Sequence, residues 1–504
     1  MKQKDLDFKI KWYLHFSDRI EYSDIGWVLN YIKDESRVAS HKFFPFIRRT
    51  TSQRRYRRSK EGDDPIIRSL RGKKVKKRPI SYANHLDRCI YSYYAKILVK
   101  SYEERLARQE ELNDAVLAYR SKIYSDKNLS NAAFAKDVFN IIRQYPESKF
   151  RVLAMDISSF FDELKHPNIK KAWKHIMDFD DGMPEDHYAV FKNITKYRYV
   201  DYHEVFKTFS NNHKKKKPAF LRDAKIDAFS ISDKEFRTKI VEAGLIRIPP
   251  GQNKKNKVTK GIPQGSPISP VIANIYMLSF DEKMVELLAG YGGVYRRYSD
   301  DILLIYPERH HSEIYDKAIN WLKEDEVQLE INESKNQMYK LARSKDQLSI
   351  IKEEKGEVVN HSGIEYLGFS FDGEVVRIRS ASLAKYYRKM KRSVARSAFY
   401  AGSLASKKAK RTYIFKNQIY KKHTHFGAGR RMRMKRGRLL PNGKYEMIQS
   451  RVMNWGNFMS YGQNAAYIFE GKDRLAIKKQ LKSHMNKTKE QLESMDMTLN
   501  NYGA

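Results

Sequence analysis

The sequence lacks several features that define broad classes of protein. Only one of its 504 residues is cysteine, Cys89, so an intramolecular disulfide and a cysteine-based zinc cluster are excluded. Cys89 lies in an apolar stretch, and we expect it to be buried. No apolar run approaches the length of a membrane span, and the N-terminus is polar from its first residues. This predicts a cytoplasmic protein that makes no membrane contact.

Acidic residues are also scarce, and their scarcity is uneven. The chain has 98 Lys and Arg against 60 Asp and Glu, a net charge of +38, and residues 381–440 contain no acid at all. A stretch of this kind forgoes stabilising ion pairs along a helix, which indicates binding to a polyanion such as nucleic acid. Its aromatic residues fit either a helical core or stacking on bases, and helical spacing favours a core for most of them. Glycine and proline flank six cations that we expect to form an RNA-gripping basic loop: Arg430, Arg431, Arg433, Lys435, Arg436 and Arg438.

The tetrapeptide Tyr298-Ser299-Asp300-Asp301 places two adjacent acids between apolar flanks that favour strands. This pattern predicts a hairpin whose tip carries paired carboxylates. A lone acidic pair is commonly a solvated turn, and adjacent strand residues point to opposite faces, so a functional site needs another acid. Asp156, at the end of an apolar strand pattern, can supply it. Carboxylates presented side by side on two strands repel unless divalent cations lie between them, which indicates Mg²⁺, or Mn²⁺ in its place.

Further motifs surround these acids. Residues 261–270 open as a Gly/Pro turn and continue into an apolar helical pattern. Together these segments resemble the motifs of reverse transcriptases, which are RNA-directed DNA polymerases. Residues 156–162 are similar to motif A of that family, 261–276 to motif B and 298–301 to motif C, the YxDD box. In family order, the remaining resemblances are to the fingers motifs at 76–88 and 118–120, motif D at 329–335 and the motif E primer grip at 364–369.

The resemblance implies transfer of deoxynucleotides (dNTPs) to a DNA primer on an RNA template, with two Mg²⁺ ions about 4 Å apart. It assigns the metals to Asp156, Asp300 and the carbonyl of Ile157, with Asp301 as a supporting acid. Phe161 stands where the family has its steric gate against the ribose 2′-hydroxyl; alternatively, Phe161 is a core residue and Phe160 points inward. The other implied roles are protonation of pyrophosphate by Lys335, dNTP binding by Lys77, Arg78, Arg120, Gln264 and Gly265, and primer grip by Leu367 and Gly368.

The implied fold is a right-hand polymerase of the α+β class. It has fingers, a palm with an antiparallel sheet, and an α-helical basic thumb and C-terminal domain. We expect an N-terminal extension at 1–65, fingers at 66–150, a palm at 151–375 and the helical basic RNA-binding region at 376–504. A basic insertion is expected at about 170–255, and its middle, residues 211–218, has no apolar residue apart from Pro218 and is expected to be a mobile basic loop.

Among reverse transcriptases, residues 118–120, residues 156–166 and the basic tail most resemble the bacterial defence-associated, abortive-infection enzymes. That resemblance implies a structured non-coding RNA as template and a homo-oligomeric assembly. A group II intron maturase is an alternative, as is a template-independent polymerase primed from a protein hydroxyl, although 33 tyrosines single out no priming residue. A further alternative is an RNA-binding scaffold with a dormant site, against which the intact acids argue.

Overall fold

A computed structural model of the chain describes residues 13–501, apart from 55–74, 121–122, 125–126, 129, 210–227, 230–231, 253–258, 346, 355–356, 360–362, 403–413, 428–429 and 440–444. The predicted basic loop at 211–218 lies outside the described residues. Every helix in the described ranges is too short or too polar to span a bilayer.

Strands and helices both contribute extensively, as the predicted α+β class requires. The strands are β1 (Phe46–Arg54), β2 (Val75–Tyr82), β3 (Ile123–Tyr124), β4 (Lys127–Asn128), β5 (Lys149–Asp156), β6 (Tyr199–Asp201), β7 (Val294–Tyr298), β8 (Asp301–Pro307), β9 (Gln337–Ser344), β10 (Gln347–Glu354), β11 (Glu357–Val359), β12 (Ile364–Tyr366), β13 (Phe369–Phe371), β14 (Val376–Ile378), β15 (Arg430–Leu439) and β16 (Tyr445–Trp455). The helices are α1 (Ile25–Lys33), α2 (Glu35–Ala39), α3 (His85–Leu106), α4 (Glu110–Ala115), α5 (Asn131–Gln144), α6 (Phe160–Glu163), α7 (His166–Ile176), α8 (Glu185–Thr195), α9 (Tyr202–Phe209), α10 (Asp233–Phe236), α11 (Ser269–Tyr276), α12 (Leu278–Gly290), α13 (His311–Lys323), α14 (Ser380–Gly402), α15 (Lys416–His423), α16 (Phe458–Phe469), α17 (Gly471–Lys482) and α18 (His484–Asn501).

Six strands form a central antiparallel sheet in the order β11-β10-β9-β5-β8-β7. Alternate residues of β8 enter two different cores: Ile302 and Leu304 pack on one face of the sheet, and Leu303 and Ile305 pack on the other. Because protein covers both faces, β8 has no solvent-facing positions after Asp301. This explains why residues 302–305 are all apolar and do not alternate with polar residues.

Different layers cover the two faces of this sheet. Helices α3, α7, α11, α12 and α13 pack on one face. Helix α5, the small sheet β12-β13-β14, and helices α16 and α17 pack on the other. The nearly buried carboxylate of Asp473 fastens this second layer: it pairs with Arg143 at 2.8 Å and accepts the backbone N–H of Val376 at 2.7 Å. Helices α16 and α17 are therefore part of the core on this face of the sheet, whereas α14, α15 and α18 share a separate small core.

A second sheet, in the order β2-β1-β6, lies in the region expected to form the fingers. Strands β1 and β2 are antiparallel partners, and the domain boundary expected at 65/66 lies between them, outside the described residues. Strand β6 pairs in parallel with β1, and Ile47, Val200 and Val205 share a separate small core. The described part of the predicted insertion at 170–255 supplies α8, β6 and α9: residues of β6 and α9 join this small core, whereas Val190, Phe191 and Ile194 of α8 pack in the main core.

The C-terminal region departs from the predicted all-helical domain. It contains helices α14–α18, but β15 and β16 pair as an antiparallel hairpin between α15 and α16. The segment 430–438, predicted to be a basic loop, is most of strand β15, and its backbone finds ladder partners along its whole length, with a register shift after Arg433. The Gly/Pro signals on either side mark the ends of a strand rather than the ends of a loop.

Candidate active site

The turn between β7 and β8 carries the two adjacent aspartates. Strand β7 ends at Tyr298 and β8 begins at Asp301, which confirms the predicted hairpin tip. Ser299 has a φ of 61°, in the left-handed region that non-glycine residues rarely adopt. Because Asp300 lies in the turn and Asp301 in the strand, the strict alternation of strand faces does not force the two carboxylates apart.

Asp156 ends β5 directly opposite Asp301 on β8. Residues directly opposite each other in an antiparallel pair project from the same face, so these two side chains share a face. The backbones are also joined, because the N–H of Ile157 donates to the carbonyl of Asp300 at 3.0 Å. In extended chain, the N–H and C=O of one residue point to the same side, so the Ile157 carbonyl also faces this turn. The fold thus brings together the three acids that the sequence singled out.

The loop before β9 reaches the same end of the sheet. The N–H of Ser158 donates to the carbonyl of Glu330 at 2.8 Å, and the N–H of Asn332 donates to the carbonyl of Asp156 at 2.7 Å. The short helical turn that follows ends at Lys335, whose ammonium group contacts the Asp156 carboxylate. The segment that resembles motif D is therefore bonded to the segment that resembles motif A.

The electrostatics of the three acids fit divalent cations. Burial raises the pKa of Asp300, and the negative charge of Asp156 raises it further. Burial, followed by the charges of Asp300 and Asp156, raises the pKa of Asp301 to about 6. Crowded carboxylates favour a bound cation, and oxygen atoms are the ligands that Mg²⁺ prefers. Among the described residues no three His, Cys, Asp or Glu side chains converge closely enough to form a metal cage.

The segments that resemble motifs A and B are hydrogen-bonded to each other. The N–H of Ile262 donates to the carbonyl of Phe161 at 2.9 Å. Phe160 is 4% exposed and belongs to the main core, whereas Phe161 is only partly buried at the edge of that core. Of the two phenylalanines that the sequence left open, Phe161 is therefore the one with a free surface.

The Gly/Pro turn of the motif B segment packs against the fingers. The N–H of Ser81, on β2, donates to the carbonyl of Gln264 at 2.8 Å. Gly265 has a φ of +117°, and a Cβ atom there would lie 2.5 Å from the Ser81 carbonyl oxygen. The backbone of Ser81 lies so close to residue 265 that glycine is required at this position. Gln264 keeps part of its surface exposed.

The cations that were predicted to bind the dNTP differ in their exposure to solvent. Lys77 and Arg78 are exposed on β2. Arg120 is instead a structural residue: its side chain is 3% exposed, it forms an ion pair with Glu103, and it donates to the Asn113 carbonyl and side chain. The geometry therefore gives no support to the prediction that Arg120 holds the triphosphate, because its donors are already used within the fold.

Leu367 and Gly368 form the two-residue turn between β12 and β13, with φ values of 43° and 94°. Positive φ at both positions is typical of a tight hairpin turn. The N–H of Arg379 donates to the Gly368 carbonyl at 3.0 Å, and the Arg379 side chain pairs with Glu365 at 2.9 Å. The predicted primer-grip turn is therefore tied to the start of helix α14.

A buried ion pair close to the aspartate turn was not predicted. Arg297, at the inward face of β7, pairs with Asp281 of α12, and both side chains are completely buried. Arg297 also donates to the carbonyl of Ser299 at 3.2 Å. Among 98 Lys and Arg a single arginine attracts no attention in the sequence. The sequence signal that could have pointed to this pair was Asp281, an acid within the largely apolar helical pattern of residues 278–288.

One segment of the chain matches a known protein family. Residues 220–371 match the family model for reverse transcriptase (RNA-dependent DNA polymerase). The matched segment includes the turn at 298–301 and the segments that resemble motifs B, D and E, but it begins after Asp156. No curated protein matches the chain.

Similar solved structures are distant. One is apo telomerase from Candida tropicalis truncated from its C-terminal domain, at 11% identity and a TM-score of 0.36, covering 60% of this chain and 53% of that one. Another is telomerase from Candida albicans in complex with a TWJ fragment of telomeric RNA, at 14% identity and a TM-score of 0.34, covering 76% of this chain and 58% of that one. This chain therefore spans a little over half the length of these structures. Similarity at this level does not identify the function of the chain.

Proposed function

We propose that this chain, which carries a reverse transcriptase domain and belongs to the class of RNA-directed DNA polymerases, synthesises DNA from dNTPs at the site formed by Asp156, Asp300 and Asp301. The observation that supports this most strongly is the pairing of Asp156 with Asp301. Asp156 lies outside the segment that matches the family, yet strand pairing brings it to the turn inside that segment.

Each residue of this site is proposed to have its own role in nucleotidyl transfer. Bound Mg²⁺ ions supply charge neutralisation and activation of the primer 3′-hydroxyl. Asp156, Asp300 and the Ile157 carbonyl would hold them, while Asp301 adds negative charge to the site. Lys335, which contacts Asp156, would donate a proton to the pyrophosphate as it leaves. The hydrogen bonds among these segments fix their backbones before substrate arrives.

Substitution of the acids tests this assignment directly. Asp300→Asn and Asp156→Asn are each expected to abolish dNTP incorporation on an RNA template with a DNA primer, with the unfolding temperature unchanged or raised because carboxylate repulsion is relieved. Asp316→Asn, an exposed acid on helix α13, is the matched control and should retain full activity. Incorporation by a folded Asp300→Asn variant at the wild-type rate would refute the proposed site.

Phe161 is proposed to select deoxynucleotides. Its partly exposed ring lies at the edge of the core, next to the aspartate strand, and its backbone is fixed by Ile262. Phe161→Ala should raise incorporation of ribonucleotides relative to deoxynucleotides. Phe160→Ala, the buried neighbour, should lower stability without changing this ratio. An unchanged ratio in Phe161→Ala removes the steric-gate role.

A cluster of cations supports binding of the template and primer. Burial lowers the pKa of Lys385 on α14, and the positive charges of Lys389, Arg78 and Arg388 lower it further. Arg78 belongs to strand β2 and the other three to helix α14, so like charges from two distant parts of the chain lie near one another. A nucleic acid backbone beside them would neutralise them.

Salt dependence distinguishes this role for Arg78 from binding of the triphosphate. If Arg78 contacts the nucleic acid backbone, Arg78→Ala should reduce the slope of log affinity against log salt by about one, with little change in the dNTP KM. A raised KM with an unchanged slope would assign Arg78 to the dNTP instead. Lys100→Ala, an exposed lysine that pairs with Glu104 on the same helix, is the control.

The template is proposed to be a structured non-coding RNA in bacterial defence. Support for this comes from the sequence resemblance of residues 118–120 and 156–166 and from the acid-free basic region at 381–440. Nucleic acid that co-purifies with the protein should be sequenced before and after addition of dNTPs. One enriched RNA and a complementary DNA product are expected. An intron RNA would indicate a maturase, and product that forms after ribonuclease treatment would indicate template-independent synthesis.

A further inference from the structure

Tyr119 is an exposed aromatic residue in an otherwise buried segment. The preceding Val116, Leu117 and Ala118 are 5% exposed or less, and the side chain of the following Arg120 is 3% exposed. Tyr119 itself is 47% exposed. Core packing therefore explains its neighbours but does not explain an aromatic ring at this position.

Hydrogen bonds hold this segment against the back of the catalytic hairpin. The N–H of Leu117 donates to the carbonyl of Arg297 at 2.9 Å, and the side chain of Asn274 donates to the carbonyl of Ala118 at 3.0 Å. On the other side of Tyr119, Arg120 is anchored to Glu103. The position of Tyr119 is thus fixed relative to both the aspartate turn and helix α11.

The ring lies at the turn that carries the catalytic acids. The hydroxyl of Ser299, the residue before Asp300, donates to the hydroxyl of Tyr119 at 3.3 Å. Tyr119 adopts this position with a φ of 62°, which is costly for a bulky residue and persists only where the surroundings impose it. A strained, exposed aromatic residue beside an active site is a candidate for ligand contact.

We propose that Tyr119 is a substrate-binding residue whose ring stacks on a nucleobase at the reacting end of the nucleic acid. The inference rests on the proposed polymerase function and adds a residue to it. Stacking suits this position because an aromatic face binds any base without reading its sequence, as templated synthesis requires. The base belongs either to the incoming dNTP or to the primer terminus, and these two sources are separable by experiment.

The experiment compares Tyr119→Ala, Tyr119→Phe and Tyr119→Gly with wild type, measuring the dNTP KM, the Kd for a primer–template duplex, and the Tm. Loss of the ring in Tyr119→Ala should weaken one of the two binding constants by about 10- to 100-fold. A raised KM assigns the base to the dNTP, and a raised Kd assigns it to the primer. Tyr119→Phe keeps the ring and should stay near wild type.

Tyr119→Gly separates binding from folding. Glycine adopts positive φ without strain, so this variant should have a Tm at or above that of wild type while binding as weakly as Tyr119→Ala. Tyr188→Ala removes a similarly exposed ring from helix α8 and should change neither binding constant.

Two outcomes would overturn the inference while wild type remains active. One is an unchanged KM and Kd in a folded Tyr119→Ala variant. The other is a loss of binding in all three variants that is proportional to the fall in their Tm. A wild-type protein that incorporates no nucleotide on any template would instead refute the proposed function itself, and the stacking role with it.

Discussion

Replacing Arg297 by methionine should strongly destabilise the protein. Arg297 donates to both oxygens of Asp281, at 2.7 and 2.5 Å, and both side chains are 0% exposed. Removal of the arginine leaves a carboxylate in the core whose one remaining hydrogen-bond partner among the described residues is the Tyr295 hydroxyl. Breaking one side of a buried ion pair costs about 3–5 kcal/mol, a large share of the roughly 5–15 kcal/mol that stabilises a typical domain.

The destabilisation should also depend on pH. Burial raises the pKa of Asp281, and the nearby Arg297 charge opposes this rise. Without the arginine, the folded protein prefers the protonated acid more strongly than the unfolded chain does. Its stability is therefore greatest at acidic pH and falls as the pH rises through the folded pKa of Asp281. The deficit relative to wild type should be larger at pH 8 than at pH 5.5.

Urea unfolding followed by circular dichroism measures this effect at the two pH values. The matched control is Arg105→Met, which breaks the neighbouring but half-exposed ion pair with Glu282 at 2.7 Å and should cost less than about 1 kcal/mol. The double variant Arg297→Met/Asp281→Leu should recover most of the stability. It should still have a lowered kcat, because the Ser299 carbonyl loses its donor. A midpoint for Arg297→Met equal to that of Arg105→Met at both pH values would refute the reasoning.

Three further predictions concern the same end of the palm. Gly265→Ala should lower the free energy of unfolding by about 1–3 kcal/mol, since its Cβ would lie 2.5 Å from the Ser81 carbonyl in a backbone conformation unsuited to alanine. Lys335→Ala should tighten Mg²⁺ binding several-fold by calorimetry without nucleotide, because it removes the cation that contacts Asp156. The pKa of Asp301 is about 6 in the folded protein against 3.8 ordinarily, so metal-free wild type should lose stability as the pH rises from 4 to 7, and Asp301→Asn should lose less.

Each of these has a control within the chain. Gly182 also has a large positive φ but no atom within 4 Å of an added Cβ, so Gly182→Ala should cost less than the Gly265 variant. Lys283→Ala breaks an ion pair with Glu324 and should leave Mg²⁺ affinity unchanged. Equal losses in the two glycine variants, weaker Mg²⁺ binding without Lys335, or an undiminished pH dependence in Asp301→Asn would each contradict the corresponding explanation.

The sequence predicted the catalytic hairpin well because the physical signals there are local. Two apolar strand patterns flank Ser299 and Asp300, and the strand that ends at Asp156 has the same composition. Pairing of these strands also follows from composition, since a strand that is apolar on both faces must lie inside a sheet. The fate of Arg120 was not predictable, because a basic residue reveals neither whether it faces solvent nor whether acids such as Glu103 lie nearby in the fold.

The larger misjudgements concern long-range pairing. The parallel contact of β6 with β1 joins residues that are about 150 positions apart, and nothing in either short segment indicates the other. The basic strand β15 has few residues that favour strands, and its flanking glycines and proline favoured a loop. In both cases the backbone found partners that local propensity does not encode.

The position of β5 in the middle of the palm sheet affects how the protein folds as it is synthesised. Arg151 pairs with Tyr306 on one side and Lys340 on the other, so both edges of the strand can be paired only after about 190 further residues have been made. At about 5–20 residues per second, this delay lasts roughly 10–40 s. An apolar strand exposed for that time is prone to aggregate, which makes expression yield sensitive to translation rate and to chaperones.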